Sequence, residues 1–160
     1  KLKPGDKVVI IEGVPSAFNG VQRKLGFEDA IKNTKLTLVT SQSGYWETDK
    51  ANKVASAIIT EHPDIKAILC ANDSMAIGVV AALRDAGKVG QILVAGYDNI
   101  SAAQQLLKEG KIIATADQHA DRLAVYGIEY ALQIIKEKIT PLDFETPVDL
   151  ITAETLSSKK

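Results

Sequence analysis

Trp46, Asn72, Tyr97, Asp98 and Gln118 lie far apart in the chain, yet each stands at or just beyond the end of a short apolar run. Together they are two aromatics, two amides and one carboxylate, a set that suits a neutral, polyhydroxylated ligand. Sugar hydroxyls both donate and accept; Asp98 accepts, while Asn72 and Gln118 can do both. Bonds to Asp98 would be charge-assisted and therefore the stronger ones. Trp46 and Tyr97 can cover the C–H faces of a pyranose or furanose with flat rings that lose little entropy. Each residue also has a plainer role. Asn72 or Asp73 can cap the helix that follows, Trp46 can plug a sheet end, and Gln118 can satisfy loop backbone. Their common placement at strand ends favours binding.

A recurring strand–helix unit produces that placement. Strands are predicted over 7–12, 36–41, 66–71, 92–97 and 112–116, and helices over 19–32, 48–61, 74–86, 101–110 and 121–138. The runs Ala67-Ile68-Leu69-Cys70-Ala71 and Ile92-Leu93-Val94-Ala95-Gly96 are apolar throughout, as strands buried on both faces are. Thr48 and Ser101 are placed to cap their helices, Ala51, Val54, Ala55, Ile58 and Ile59 to face the core, and Gly87 to end the third helix. Beyond Pro141 an edge strand is expected over 146–152, then a polar tail. The fold class is α/β, an open and mostly parallel sheet flanked by helices. In such sheets ligands bind outside the carboxyl ends of the strands.

The 160 residues suit one domain, with 46% hydrophobic and 24% charged residues. A net charge of −1 offers no broad grip on nucleic acid, so no nucleic-acid partner is expected. The opening Lys1-Leu2-Lys3-Pro4-Gly5-Asp6 is not a signal peptide, which does not exclude export. Cys70, the single cysteine, sits in an apolar run and reads as a small buried side chain. There is no phosphate loop, no GxGxxG after the first strand and no GxSxG elbow. His62 and His119 are too isolated for a metal cluster and both read as surface histidines, His119 lying close to the rim. No acid, base and nucleophile assemble, so no cofactor, metal or enzymatic activity is expected.

Several segments carry a resemblance. They are Ile11-Glu12-Gly13 with Arg23-Lys24-Leu25-Gly26-Phe27, His62-Pro63-Asp64-Ile65-Lys66-Ala67-Ile68, Asn72-Asp73-Ser74-Met75-Ala76-Ile77-Gly78, Gly96-Tyr97-Asp98, and the stretch from Glu109-Gly110-Lys111 to Asp117-Gln118. In them the chain resembles the periplasmic sugar-binding proteins of the ribose-binding type. The resemblance implies that Trp46 stacks on sugar, that Asn72, Asp98 and Gln118 hydrogen-bond it, and that Tyr97 lines the cleft. The ribose binders carry a sugar-binding arginine near the start of the first helix; that position is matched to Val21 here. Asn19 and Arg23 lie close by and join the candidate ligand-binding residues, Asn19 as a substitute donor and Arg23 within an Arg-x-x-Gly-Phe element that also has a structural reading. The expected ligand is therefore a monosaccharide or polyol, without assignment to ribose in particular.

The family has two similar lobes with the ligand between them. The resemblance makes residues 1–160 a single lobe of the C-terminal type, a fragment without its first lobe. Helix 121–138 would normally pack on that lobe, so its apolar face is expected to fold back or swap into a second copy, giving a homodimer. The implied function is carbohydrate binding for an ABC transporter, with the permease as partner of the intact protein. The location would be periplasmic, or extracellular and lipid-anchored. The effector domain of a lactose-repressor-type regulator shares the Asn-Asp and Gly-Tyr-Asp elements, but the segment from Glu109 to Gln118 favours transport. An enzyme on a flavodoxin-like sheet ranks last.

Overall fold

The computed structural model describes residues 1–143 and 145–158. In chain order it contains β1 (Lys7–Glu12), α1 (Phe18–Asn33), β2 (Thr37–Ser43), α2 (Thr48–Glu61), β3 (Ala67–Cys70) and α3 (Asp73–Asp85). There follow β4 (Leu93–Tyr97), α4 (Ser101–Lys108), β5 (Ala114–Asp117), α5 (Ala120–Glu137), β6 (Asp149–Ile151) and α6 (Ala153–Ser158). The strands form one sheet in the order β2-β1-β3-β4-β5-β6. β1 to β5 run parallel, and β6 closes the edge antiparallel to β5.

The apolar runs become the centre of this sheet. Val8, Val9, Ile10 and Ile11 of β1 are all fully buried because both faces are covered there. Val9, Ile11, Ile68, Cys70 and Val94 pack under α2, α3 and α4, whose Ala51, Ala55, Ile58, Val79, Leu83 and Leu107 complete the larger core. Val8, Ile10 and Ala67 face the other way, against Ile31 and Phe27 of α1. Cover on that side is thin: Leu69, Leu93 and Ala95 are only half-buried. α5 leaves a matching deficit, for it buries none of its residues and exposes Leu123, Tyr126, Ile128, Leu132 and Ile135. No helix among the described residues is long and apolar enough to cross a membrane.

Two expected caps are not caps. The residue before α2 is Glu47, and the Thr48 hydroxyl instead donates across to the Ser74 carbonyl at 3.0 Å, tying α2 to α3. Ser101 is the first residue of α4 rather than its cap, which is Ile100. The expected polar tail contains α6, although Lys159 and Lys160 lie outside the described residues. The edge strand is shorter than expected. Gly87 does take the left-handed conformation just past α3, at φ +65°.

Among the described residues the fully buried polar side chains are Asp73, at the start of α3, and Thr115, on β5. Asp73 Oδ1 accepts from the Thr115 hydroxyl at 2.8 Å and Oδ2 from the Ile100 N–H at 3.0 Å. Burial pushes its carboxyl up to about 6 from an ordinary 3.8, against the pull of these donors. Between those values the folded chain keeps a proton that the unfolded chain has lost, so this group withdraws stability as pH rises. Asp73→Asn cannot titrate. The stability difference between wild type and Asp73→Asn is therefore expected to shift by roughly 3 kcal/mol against wild type from about pH 3.5 to about pH 7. Urea denaturation across that range checks it; a constant difference refutes it.

Candidate functional site

Because β1 to β5 run parallel, their carboxyl ends meet along one edge of the sheet. Tyr97 closes β4 and Asp98 follows it, Gln118 follows β5, Asn72 lies just past β3, and Trp46 sits in the turn after β2. The edge is joined by a residue from outside the strands. Arg23, in the second turn of α1, extends over the strand ends with only 10% of its side chain exposed. Its Nη1 donates to the Ala71 carbonyl at 2.8 Å, and its Nη2 to Asp98 Oδ1 and Gln118 Oε1, each at 3.3 Å. The guanidinium carbon lies 3.8 Å from the Tyr97 ring centroid and 5.5 Å from that of Trp46, both within cation–π range. Gln118 Nε2 closes the group by donating to Asp98 Oδ1 at 2.8 Å.

The structure thus brings together Trp46, Tyr97, Asp98, Gln118 and Arg23. Arg23, a candidate from the first helix, occupies the centre of this group. Val21 is exposed and lines a separate concavity of about 350 Å³ with Glu12, Lys24 and Leu25. Asn19 joins none of these hydrogen bonds: it is exposed, and its Oδ1 accepts from the adjacent Gly20 N–H. Asn72 keeps both of its expected roles open. Its Oδ1 caps α3 by accepting from Met75 N–H at 2.9 Å, and its Nδ2 makes no hydrogen bond among the described residues.

Asp98 carries the charge balance. Burial raises its carboxyl above the usual range, outweighing the Arg23 charge and the hydrogen bonds from Arg23 and Gln118. With Arg23 beside it the edge is close to neutral overall. It presents carboxylate and amide acceptors, guanidinium and amide donors, and two aromatic rings, all on an open surface. A concavity of about 600 Å³ lies elsewhere, against Leu123, Tyr126 and Tyr130 of α5.

Other expectations resolve as packing. Cys70 is fully buried, and burial pushes its thiol far above the usual range. His119 is not a solvated surface residue: 15% of its side chain is exposed, and Nε2 lies 3.1 Å from Asp149 Oδ2, clasping the start of α5 to β6. Among the described residues no three His, Cys, Asp or Glu side chains converge to hold a metal ion.

Three supporting residues escaped the sequence reading as parts of the site. The Asp73–Thr115 pair lies behind the turn that carries Asp98. Gly13, just past β1, lies beneath the Trp46 indole; a Cβ there would stand 2.1 Å from the ring. The signal for Gly13 was a glycine at a strand end, which is also what an ordinary turn supplies.

Comparison with known proteins gives a consistent family. The model of the family described as periplasmic binding protein domain matches residues 1–139. The D-ribose/D-allose-binding protein of Pseudomonas aeruginosa is 50% identical over 157 residues, covering 96% of this chain and 49% of that protein. An ABC transporter periplasmic solute-binding protein from Actinobacillus succinogenes, solved with bound D-allose, superposes with a TM-score of 0.91 at 37% identity, covering 96% of this chain and 54% of that one. The Caulobacter myo-inositol-binding protein, bound to myo-inositol, gives 0.90 at 29% identity, with coverage of 96% and 54%. The chain spans about half the length of the curated relatives it matches.

Gly13→Ala is expected to drive the Trp46 indole off its seat. The cost should be about 1–3 kcal/mol, typical of overpacking, with a shift in the emission of this single tryptophan. Denaturation followed by circular dichroism, together with emission spectra, checks it; unchanged values in both overturn it.

Proposed function

Because the chain belongs to the periplasmic binding protein domain family, we propose that its strand-end rim is one side of a cleft that binds a monosaccharide or polyol for an ABC transporter. One observation carries the reading: the Arg23 guanidinium, stacked on Tyr97, unites Asp98 and Gln118 at a nearly neutral edge flanked by Trp46. Trp46 and Tyr97 stack on the ring of the ligand, Asp98 accepts from its hydroxyls, Asn72 Nδ2 and Arg23 donate, and Gln118 does both. Asn19 has no part in this arrangement. The named relatives bind D-ribose, D-allose and myo-inositol, which share a polyhydroxylated ring, and the same class fits this rim.

The transporter reading is preferred to the transcription regulator because the relatives compared are solute-binding proteins. It implies a binding protein rather than an enzyme, a site of action in the periplasm or outside the cell, and a permease as partner of the whole protein. The described lobe supplies one wall of the cleft, and hinge closure of a second lobe supplies the other.

The test is Trp46 fluorescence during titration with D-ribose, D-allose and myo-inositol. A saturable change with one or more of them, abolished by Asp98→Ala and by Arg23→Met, is expected. A response that survives both substitutions moves the site off this rim, and no response to any of the three rejects the reading for this chain.

The apolar face of α5 is proposed to pack on a second lobe in the whole protein, and in this chain alone to swap into a second copy. The half-covered Leu69, Leu93 and Ala95 of the sheet offer that copy's α5 a seat. Light scattering should show a dimer that dissociates when Ile128 and Leu132 are both changed to Glu. A monomer at every concentration would refute the swap.

A further inference from the structure

The turn that presents Asp98 is strained. Asp98 has φ +110° and Asn99 φ +54°, two successive residues in a region that L side chains rarely adopt. Such a conformation persists only where its surroundings enforce it. The enforcement comes from behind the rim. Asp73 Oδ2 accepts the Ile100 N–H at 3.0 Å, and Oδ1 accepts the Thr115 hydroxyl at 2.8 Å. The Thr115 oxygen in turn accepts the Asn99 N–H at 3.2 Å. The Asn99 side chain donates from Nδ2 to Asp117 Oδ2 at 3.0 Å, and the Asn99 backbone carbonyl accepts from Gln104 Nε2 at 3.3 Å. Gly96 lets the carboxylate approach β4, since a Cβ there would meet Asp73 Oδ1 at 2.0 Å.

Asp73 and Thr115 are themselves fully buried. The pair is the only route by which α3 and β5 jointly hold the backbone N–H groups of both Asn99 and Ile100 among the described residues. Resting on the sugar-binding reading above, we infer that Thr115 and Asp73 are positioning residues. They lock the turn 98–100 so that Asp98 faces the ligand and keeps its contacts with Arg23 and Gln118. Neither touches the ligand. Their effect on affinity passes through the backbone of the turn, which makes the Thr115 hydroxyl the part that matters and its methyl group incidental.

Two substitutions separate positioning from packing. Thr115→Val keeps the shape and removes the hydroxyl; Thr115→Ser keeps the hydroxyl and removes a methyl group. Packing alone ranks the serine variant as the more damaging, whereas positioning ranks the valine variant so. With the folds checked by circular dichroism, D-ribose and D-allose are titrated into each 160-residue variant and followed by Trp46 fluorescence. Thr115→Val should weaken binding about tenfold, as loss of one hydrogen bond does, and should speed hydrogen exchange at the Asn99 and Ile100 amides. Thr115→Ser should bind like the wild type. Wild-type affinity in Thr115→Val, or an equal loss in both variants, overturns the inference and leaves the functional reading intact. Wild-type protein that binds neither sugar while Asn99 and Ile100 remain protected rejects the functional reading, and this inference falls with it.

Discussion

One guanidinium closes the edge that a parallel sheet leaves open. Strands that all point the same way end together, and their final carbonyls and following loops have no neighbouring hairpin to satisfy them. Arg23 comes in from α1 and meets three of those ends at once, the Ala71 carbonyl after β3, Asp98 after β4 and Gln118 after β5. Lysine could not do this, because its ammonium lacks the planar fork that reaches three acceptors while lying on the Tyr97 ring. Without Arg23, a half-buried Asp98 carboxylate would have, among the described residues, only the Gln118 side chain to offset its lost hydration. Even with Arg23, burial prevails and holds the carboxyl above its ordinary range. The rim is therefore polar and near neutral, which is the condition for holding an uncharged polyol rather than an ion.

The same contacts show what sequence could and could not reveal. Strand β1 and helix α2 fall where the pattern put them, because a run of β-branched residues and an apolar stripe at helical spacing report burial directly. The rim followed from the strand ends, so Trp46, Tyr97, Asp98 and Gln118 were legible from topology alone. The errors share one cause. Thr48 and Ser101 were read by their local neighbours, as caps, and the contacts of Arg23 could not be read at all. In the structure the Thr48 hydroxyl reaches a different helix and Arg23 crosses to three strands. The partners of long side chains are fixed by the packing of distant elements, which no local spacing encodes. Asp73 escaped for the complementary reason, since an acidic residue at a helix start is so ordinary that its burial against Thr115 left no mark.

Strain and support are arranged in layers at this edge. The turns after β2 and β4 each carry paired residues at positive φ, Tyr45 and Trp46 in the first, Asp98 and Asn99 in the second. Both turns project a side chain of the candidate site. Both are braced from beneath, the indole by the bare backbone of Gly13 and the carboxylate turn by Asp73 and Thr115. Fixing these side chains during folding removes an entropic cost that a ligand would otherwise meet on binding.

Two deficits in the fold are the same deficit. A parallel sheet needs cover on both faces, yet Leu69, Leu93 and Ala95 are half-covered while α5 holds its apolar side chains away from any core. At the rim, likewise, every polar group approaches from one side, so a bound ring would keep its other face in water. If a complete cleft binds at about micromolar strength, near −8 kcal/mol, half of that free energy leaves roughly millimolar binding. An apolar face without cover and a candidate site without an opposing wall are both expected of a lobe whose surfaces are shaped to be shared. What this lobe keeps to itself is the geometry of Arg23, Asp98 and Gln118, because those contacts are made within it and need no second body.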